Sequence, residues 1–122
     1  YKSKNNNRIK FIGKINELDK SKFLNNLDIF ILPSINSFEA FGIVQLEAMS
    51  YGIPVLASNI IGVRSIIKKT KNGFLFENKN IDDLYEKILL CNITKFNAIN
   101  IRKNLEKTYN KEIFNSKVLN SF

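Results

Sequence analysis

Two carboxylates, Glu39 and Glu47, bracket the seven residues Ala40-Phe41-Gly42-Ile43-Val44-Gln45-Leu46, at the point where an apolar strand passes into a helix. The strand reads Asp28-Ile29-Phe30-Ile31-Leu32-Pro33, and the helix begins near Phe41 and stops at Tyr51-Gly52. In a parallel sheet such a junction lies on the edge where ligands bind. Glu39 is expected on the loop above the strand end. Glu47, about one and a half turns into a helix of roughly 3.6 residues per turn, can face the same crevice. Gly42 at the helix start would let a ligand's phosphates approach the free N–H groups of the first turn, where the helix dipole favours negative charge. Carboxylates beside such a site suit hydroxyl-rich groups such as ribose or a sugar.

The elements that must position these groups follow from patterning. Short β-rich runs alternate with helical patterns over residues 8–90, the signature of βαβ units and a parallel sheet. Strands are expected at residues 9–12, 29–32, 54–57 and 74–76, with helices at 20–26, 41–50, 62–69 and 81–90. The strands are almost wholly apolar, as required when helices cover both faces of a sheet. Right-handed crossovers then bring all four strand C-terminal ends to one edge. Asn72-Gly73 can supply the left-handed residue that ends a helix before the last strand. Asn80 with Asp82 and Asp83 gives the next helix a cap and acids suited to its dipole. Beyond Cys91 the pattern is wholly helical, and these last helices are expected outside the sheet.

Composition narrows the function classes. With 122 residues, 44% hydrophobic and ten Phe, the chain suits one small domain with a packed core. The formal charge of +8 would fit nucleic acid, anionic lipid or a phosphorylated ligand. Lys, Asn and Ile are spread evenly, however, which reads as a bias toward A- and T-rich codons and a solvated surface, not a binding stripe. The absence of His excludes a His-based triad, a His-ligated metal site and a His general base within the chain. A single Cys, Cys91, forms no internal disulfide and fits a reducing compartment such as the cytoplasm. No apolar run approaches the roughly 18 residues of a membrane span, and no signal-peptide pattern opens the chain. A soluble protein, or one peripheral at the inner membrane face, is therefore expected. Neither GxGxxG nor GxxxxGK[ST] occurs, so no dinucleotide fingerprint or P-loop is present. The Tyr start and the abrupt polar run of residues 2–7 read as a piece of something longer, although proteolytic processing would give the same start.

Taken in order, Phe30-Ile31-Leu32-Pro33-Ser34, Glu39-Ala40-Phe41-Gly42-Ile43, Leu46-Glu47-Ala48-Met49 and Gly52-Ile53-Pro54-Val55 resemble the C-terminal domain of retaining glycosyltransferases with the GT-B fold. More narrowly, they are similar to glycosyltransferase family 4, whose signature is two glutamates separated by seven residues. Phe11-Ile12-Gly13, Asp28 and Gly73-Phe74-Leu75-Phe76 extend the likeness over residues 8–90. It implies an α/β fold, a parallel Rossmann-like sheet with helices on both faces forming part of a GT-B C-terminal domain. Residues 1–109 would be the partial nucleotide-sugar-binding domain, and 110–122 a last helix crossing back to an N-terminal domain outside this sequence.

The resemblance also implies roles. Glu47 would accept hydrogen bonds from the ribose of a nucleotide-diphospho-sugar donor, and Glu39 would orient the donor sugar at the catalytic centre. Backbone N–H groups around Phe41, Gly42, Ile43 and Val44 would meet sugar oxygens and the diphosphate. Ser34 would either bond the diphosphate or cap a turn; Glu39 could equally cap the helix, and Gly42 could serve close packing. Hexosyl-type transfer with retention, no metal and no cofactor beyond the donor substrate, and a glycan or lipid-linked acceptor are implied. The acceptor domain and the usual Arg/Lys pair for the diphosphate lie outside this sequence, so the chain alone is expected to be inert. Ala40 and Val44 stand where the family often has Gly and Pro, and Ile61 and Ser65 replace a usual Gly and Glu. Two rival readings are a non-catalytic nucleotide-binding remnant or interaction module of a truncated gene, and a basic nucleic-acid-binding domain. The scattered lysines oppose the second, and no nucleic-acid partner is expected.

Overall fold

The computed structural model describes residues 8–33 and 40–109, which form an α/β unit around a three-stranded parallel sheet of order β1-β2-β3. The elements run α1 (Glu17–Asn25), β1 (Phe30–Leu32), α2 (Ala40–Ser50), β2 (Val55–Ser58), α3 (Arg64–Thr70), β3 (Gly73–Phe76), α4 (Ile81–Thr94) and α5 (Ala98–Thr108). Register is set by Phe30 opposite Val55 and by Val55 opposite Gly73. Residues 110–122, including the expected crossing helix, lie outside the described residues.

Alternation along the strands sorts the core into two layers, as a period of two requires. Val55, Ala57, Phe30, Leu32 and Leu75 belong to a cluster with Leu46, Met49 and Ile53 of the α2 region, Ile66 and Ile67 of α3, and Ile101 and Leu105 of α5. Leu56, Phe74 and Phe76 turn the other way and meet Leu84, Ile88 and Cys91 of α4. Helices thus cover both faces. Cys91 is packed in this second layer, and burial pushes its thiol pKa up.

The expected first strand is absent. Residues 9–16 run as irregular chain, and Phe11 is 74% exposed. Among the described residues the sheet has three strands where four were expected. A second correction concerns the end of α3. The left-handed residue is Lys71 (φ 59°), whose N–H donates to the Ile67 carbonyl at 2.8 Å. Gly73 instead begins β3, because a Cβ there would lie 1.7 Å from the Val55 carbonyl oxygen. Third, the helical stretch after Cys91 breaks at left-handed Lys95 (φ 53°) and restarts at Asn97, whose side chain caps α5. That helix packs chiefly on α2 and α3, outside the sheet as expected, and joins the core through Ile101 and Leu105.

Asn72 ties these parts together. Its buried amide donates to the Ile101 carbonyl at 2.8 Å and accepts from the Asn104 amide at 3.1 Å, joining the start of β3 to α5. Gly73→Ala is expected to lower the unfolding free energy by about 3 kcal/mol or more, since backbone rather than a movable side chain blocks the added methyl. Denaturant titration of the two proteins checks this, and a change below about 1 kcal/mol would contradict the contact.

Candidate functional site

The site is built on α2, which leaves the C-terminal edge of β1 and returns across the sheet to β2. In a parallel strand–helix–strand unit the helix N-terminus stands on the edge carrying the strand C-terminal ends. Its other end is pinned. Gly52, at φ 78°, packs so tightly on α5 that a Cβ would meet the Ala98 Cβ at 2.5 Å. Arg102 of α5 donates to the Ser50 carbonyl at 3.2 Å and the Tyr51 carbonyl at 3.4 Å, occupying orphan acceptors of the helix end. Fixed at its C-terminus, α2 presents its first turn to the ligand edge.

Two faces of α2 have different partners. On the first, Gln45, Met49 and Leu46 face the core. Gln45 donates through Nε2 to the Val63 carbonyl at 2.9 Å, which holds the chain entering α3. Its Oε1 is buried with no hydrogen-bond partner among the described residues. Gly42 belongs to the same side, since a Cβ there would lie 3.3 Å from Ile66 Cδ1. Helix packing is thus close at this glycine, while its place in the first turn of α2 also keeps the helix N-terminus uncrowded.

On the second face, Glu47 follows Ile43 and Val44 at helical spacing, about two turns from the start of α2. Glu47 is 5% exposed, and its carboxylate meets Lys20 Nζ of α1 at 3.0 Å through Oε2. Burial raises its pKa. The hydrogen bond and charge of Lys20 pull the other way, and Glu17, a like charge on α1, adds to the rise. α1 is held in place by the Asn16 side chain, which accepts from the Asp19 N–H at 2.9 Å, and by buried Leu24.

Of the sequence-derived site residues, Gly42, Ile43, Val44 and Glu47 are brought onto the first turns of one helix, with Phe41 second in that helix. Ser34 and Glu39 lie outside the described residues. Lys20 and Gln45 were missed. Neither carries a local signal, because each makes its contact through an element remote in sequence. No group of three or more His, Cys, Asp or Glu fit to hold a metal occurs among the described residues. The arrangement offers acceptors and backbone donors, which suits recognition of hydroxyls and an anion. Among the described residues no helix is long and apolar enough to cross a membrane.

The chain is similar to known proteins. The model of the family described as glycosyl transferases group 1 matches residues 1–108. An uncharacterised glycosyltransferase of Methanocaldococcus jannaschii is 38% identical over 63% of this chain and 19% of its own length. The phosphatidyl-myo-inositol mannosyltransferase of Mycobacterium leprae is 34% identical over 55% of this chain and 18% of its own. An Escherichia coli UDP-Gal:alpha-D-GlcNAc-diphosphoundecaprenol alpha-1,3-galactosyltransferase is 33% identical over 77% of this chain and 23% of its own. The chain thus spans about a fifth of the length of these relatives. Among solved structures, sucrose-phosphate synthase from Thermosynechococcus elongatus superposes with a TM-score of 0.72 at 22% identity, covering 95% of this chain and 30% of that one. The α/β sheet matches that GT-B neighbour in fold.

The raised Glu47 pKa fixes a sign. The folded state binds this proton more tightly than the unfolded chain does, so the contribution of Glu47 to stability declines as pH rises through the folded value. At pH 7 the Glu47→Gln variant is expected to melt at or above wild type. The gap should close as pH is lowered to the ordinary glutamate value of 4.5. Thermal melts at stepped pH measure this, and a variant that melts clearly below wild type at pH 7 would refute it.

Proposed function

Because the chain belongs to the glycosyl transferases group 1 family, we propose that it is the segment of a transferase that binds a nucleotide-diphospho-sugar donor for retaining, hexosyl-type transfer to a glycan or lipid-linked acceptor. The observation that carries this reading is Glu47, an almost fully buried carboxylate on the helix that opens at the ligand edge of the sheet. A carboxylate has acceptors only, so it suits a group with several hydroxyl donors, such as the ribose of a nucleotide.

In this reading Glu47 accepts from the ribose hydroxyls, and Glu39 contacts and orients the donor sugar. The N–H groups at Phe41, Gly42, Ile43 and Val44 lie in the first turns of α2, with Ser34 offering a hydroxyl near the strand end. Those of the first turn, unpaired within the helix, face the sugar oxygens and diphosphate. As the bond from the sugar's anomeric carbon to the diphosphate breaks, negative charge grows on the leaving oxygen. The helix dipole and these N–H groups are oriented to stabilise it. The acceptor hydroxyl forms the new glycosidic bond, and its proton departs with the diphosphate. No step requires a metal. The lipid-linked acceptors named for the mannosyl- and galactosyltransferase relatives suggest work in the cytoplasm, peripheral to the inner membrane face, in glycolipid or polysaccharide assembly.

Titration of the chain with UDP, ADP and GDP, followed by amide shifts, tests the reading. At least one should perturb residues 40–47 selectively, and Glu47→Ala should weaken that binding by about 1–3 kcal/mol. Perturbation confined to surface lysines, with equal affinity in the variant, would refute donor binding. Sugar transfer is expected to be absent in the 122-residue chain alone, because the acceptor-binding part would have to close over the donor. Measurable transfer by the pure chain would show that expectation to be wrong.

A further inference from the structure

The α1–α2 contact gives Lys20 a place in the site that no sequence motif marks. Lys20 is the fourth residue of α1, and its ammonium reaches across to Glu47 Oε2 at 3.0 Å. The two ends of this pair are unequal: the Lys20 side chain is 32% exposed and that of Glu47 is 7% exposed. The lysine side chain thus keeps more contact with solvent than the glutamate side chain does. A carboxylate so placed accepts at two oxygens, and a partner on Oε2 leaves capacity at Oε1 for a ligand hydroxyl.

We infer that Lys20 is a positioning residue of the donor site, which fixes the Glu47 carboxylate through Oε2 and keeps it charged so that Oε1 accepts from the ligand's hydroxyls. The inference rests on the donor reading above and adds a residue to it. Geometry gives the first half. A Glu side chain rotates freely about its terminal bond unless one oxygen is engaged, and α1 holds the engaging group through the Asn16 cap and buried Leu24. Electrostatics gives the second half. Burial favours the protonated carboxyl, which would present an O–H donor to a hydroxyl that itself must donate. Lys20 opposes that proton both by its hydrogen bond and by its charge.

Other charged groups among the described residues have their own parts. Glu17, also on α1, works against ionisation of Glu47, and α2 carries neither an acid in its first turn nor a base in its last. Arg102 of α5 is engaged with the Ser50 and Tyr51 carbonyls. Lys20 is thus the cation that acts on this carboxylate among the described residues.

The test combines Lys20→Met, which keeps the aliphatic length, with Lys20→Arg, which restores the charge. The Glu47 side-chain carboxyl is followed by carbon NMR against pH in ligand-free protein. Binding of UDP, ADP and GDP is measured over the same pH range. In Lys20→Met the Glu47 titration is expected to move upward. Affinity at pH 7 should fall by at least about tenfold, the usual size for a charge-assisted hydrogen bond. The loss of binding on acidification should begin at a higher pH than in wild type. Lys20→Arg should restore both properties. A Glu47 titration unchanged in Lys20→Met overturns the inference, and so does a shifted titration with unaltered affinity. If wild type binds none of the three while the titration shifts as expected, the donor reading is what fails, and the positioning role for ligands falls with it.

Discussion

Strand β2 is the constraint on which the remaining structure hangs. It is hydrogen-bonded on both sides and buried on both faces, so its four residues have no freedom to slide or to tilt. A slip of one residue would turn Leu56 into the layer of Val55 and Ala57, and would exchange the two cores. Gly73 locks the register further, because only a residue without a side chain fits against the Val55 carbonyl. The Val55 N–H donates to the Asn72 carbonyl, and the Phe30 N–H donates to the Pro54 carbonyl, each at 3.0 Å. With both neighbours indexed to β2, the strand ends align on one edge. The helices that follow them must therefore begin there.

What this frame achieves for the site is an asymmetric helix. At its far end α2 is crowded by Ala98 and gripped by Arg102, while its first turns face the edge where ligands would arrive. The polar groups along it are not arranged for stability. Gln45 spends its Nε2 on the Val63 carbonyl and leaves a buried oxygen without a partner among the described residues. Glu47 sits where burial penalises its charge. An unpartnered buried acceptor costs about 1–3 kcal/mol in typical cases.

Much of this frame was legible because it depends on local pattern. The apolar runs at residues 29–32, 54–57 and 74–76 fall within about a residue of the observed strands, and the caps at Asn80 and the breaks near Gly52 are chemistry that neighbours in sequence impose. Glu47 and Gly42 could be assigned to the first turns of a helix on the ligand edge for the same reason. What was not legible depends on long-range partners. Phe11 and Ile12 have strand-like sequence, but a strand is a ladder made with a remote segment, which adjacent residues do not specify. The Asn72-Gly73 pair suggests a helix stop, yet Asn72 bonds α5 and Gly73 avoids β2, and neither fact is written in the adjacent residues. Lys20 is one lysine among many. Only its ion pair with Glu47 singles it out.

The retention of an acid at Glu47, where an amide would be easier to bury, has a chemical rationale in the proposed role. Neighbouring hydroxyls on a ribose each have a proton to give, and an ionised carboxylate can take both at once. A glutamine of nearly the same shape has one acceptor oxygen, and its NH2 group competes as a donor. The carboxylate thus recognises a diol in a way its isostere cannot, at the expense of desolvation that the folded chain must bear. Lys20 lessens that expense without removing it, since Glu47 remains raised in pKa even with the ammonium 3.0 Å away. A stronger, fully buried counter-ion would stabilise the empty site and compete with the ligand for the same oxygens. A partly exposed lysine on a helix anchored by a single buried leucine supplies charge to one oxygen of the carboxylate, and the other oxygen keeps its own capacity to accept.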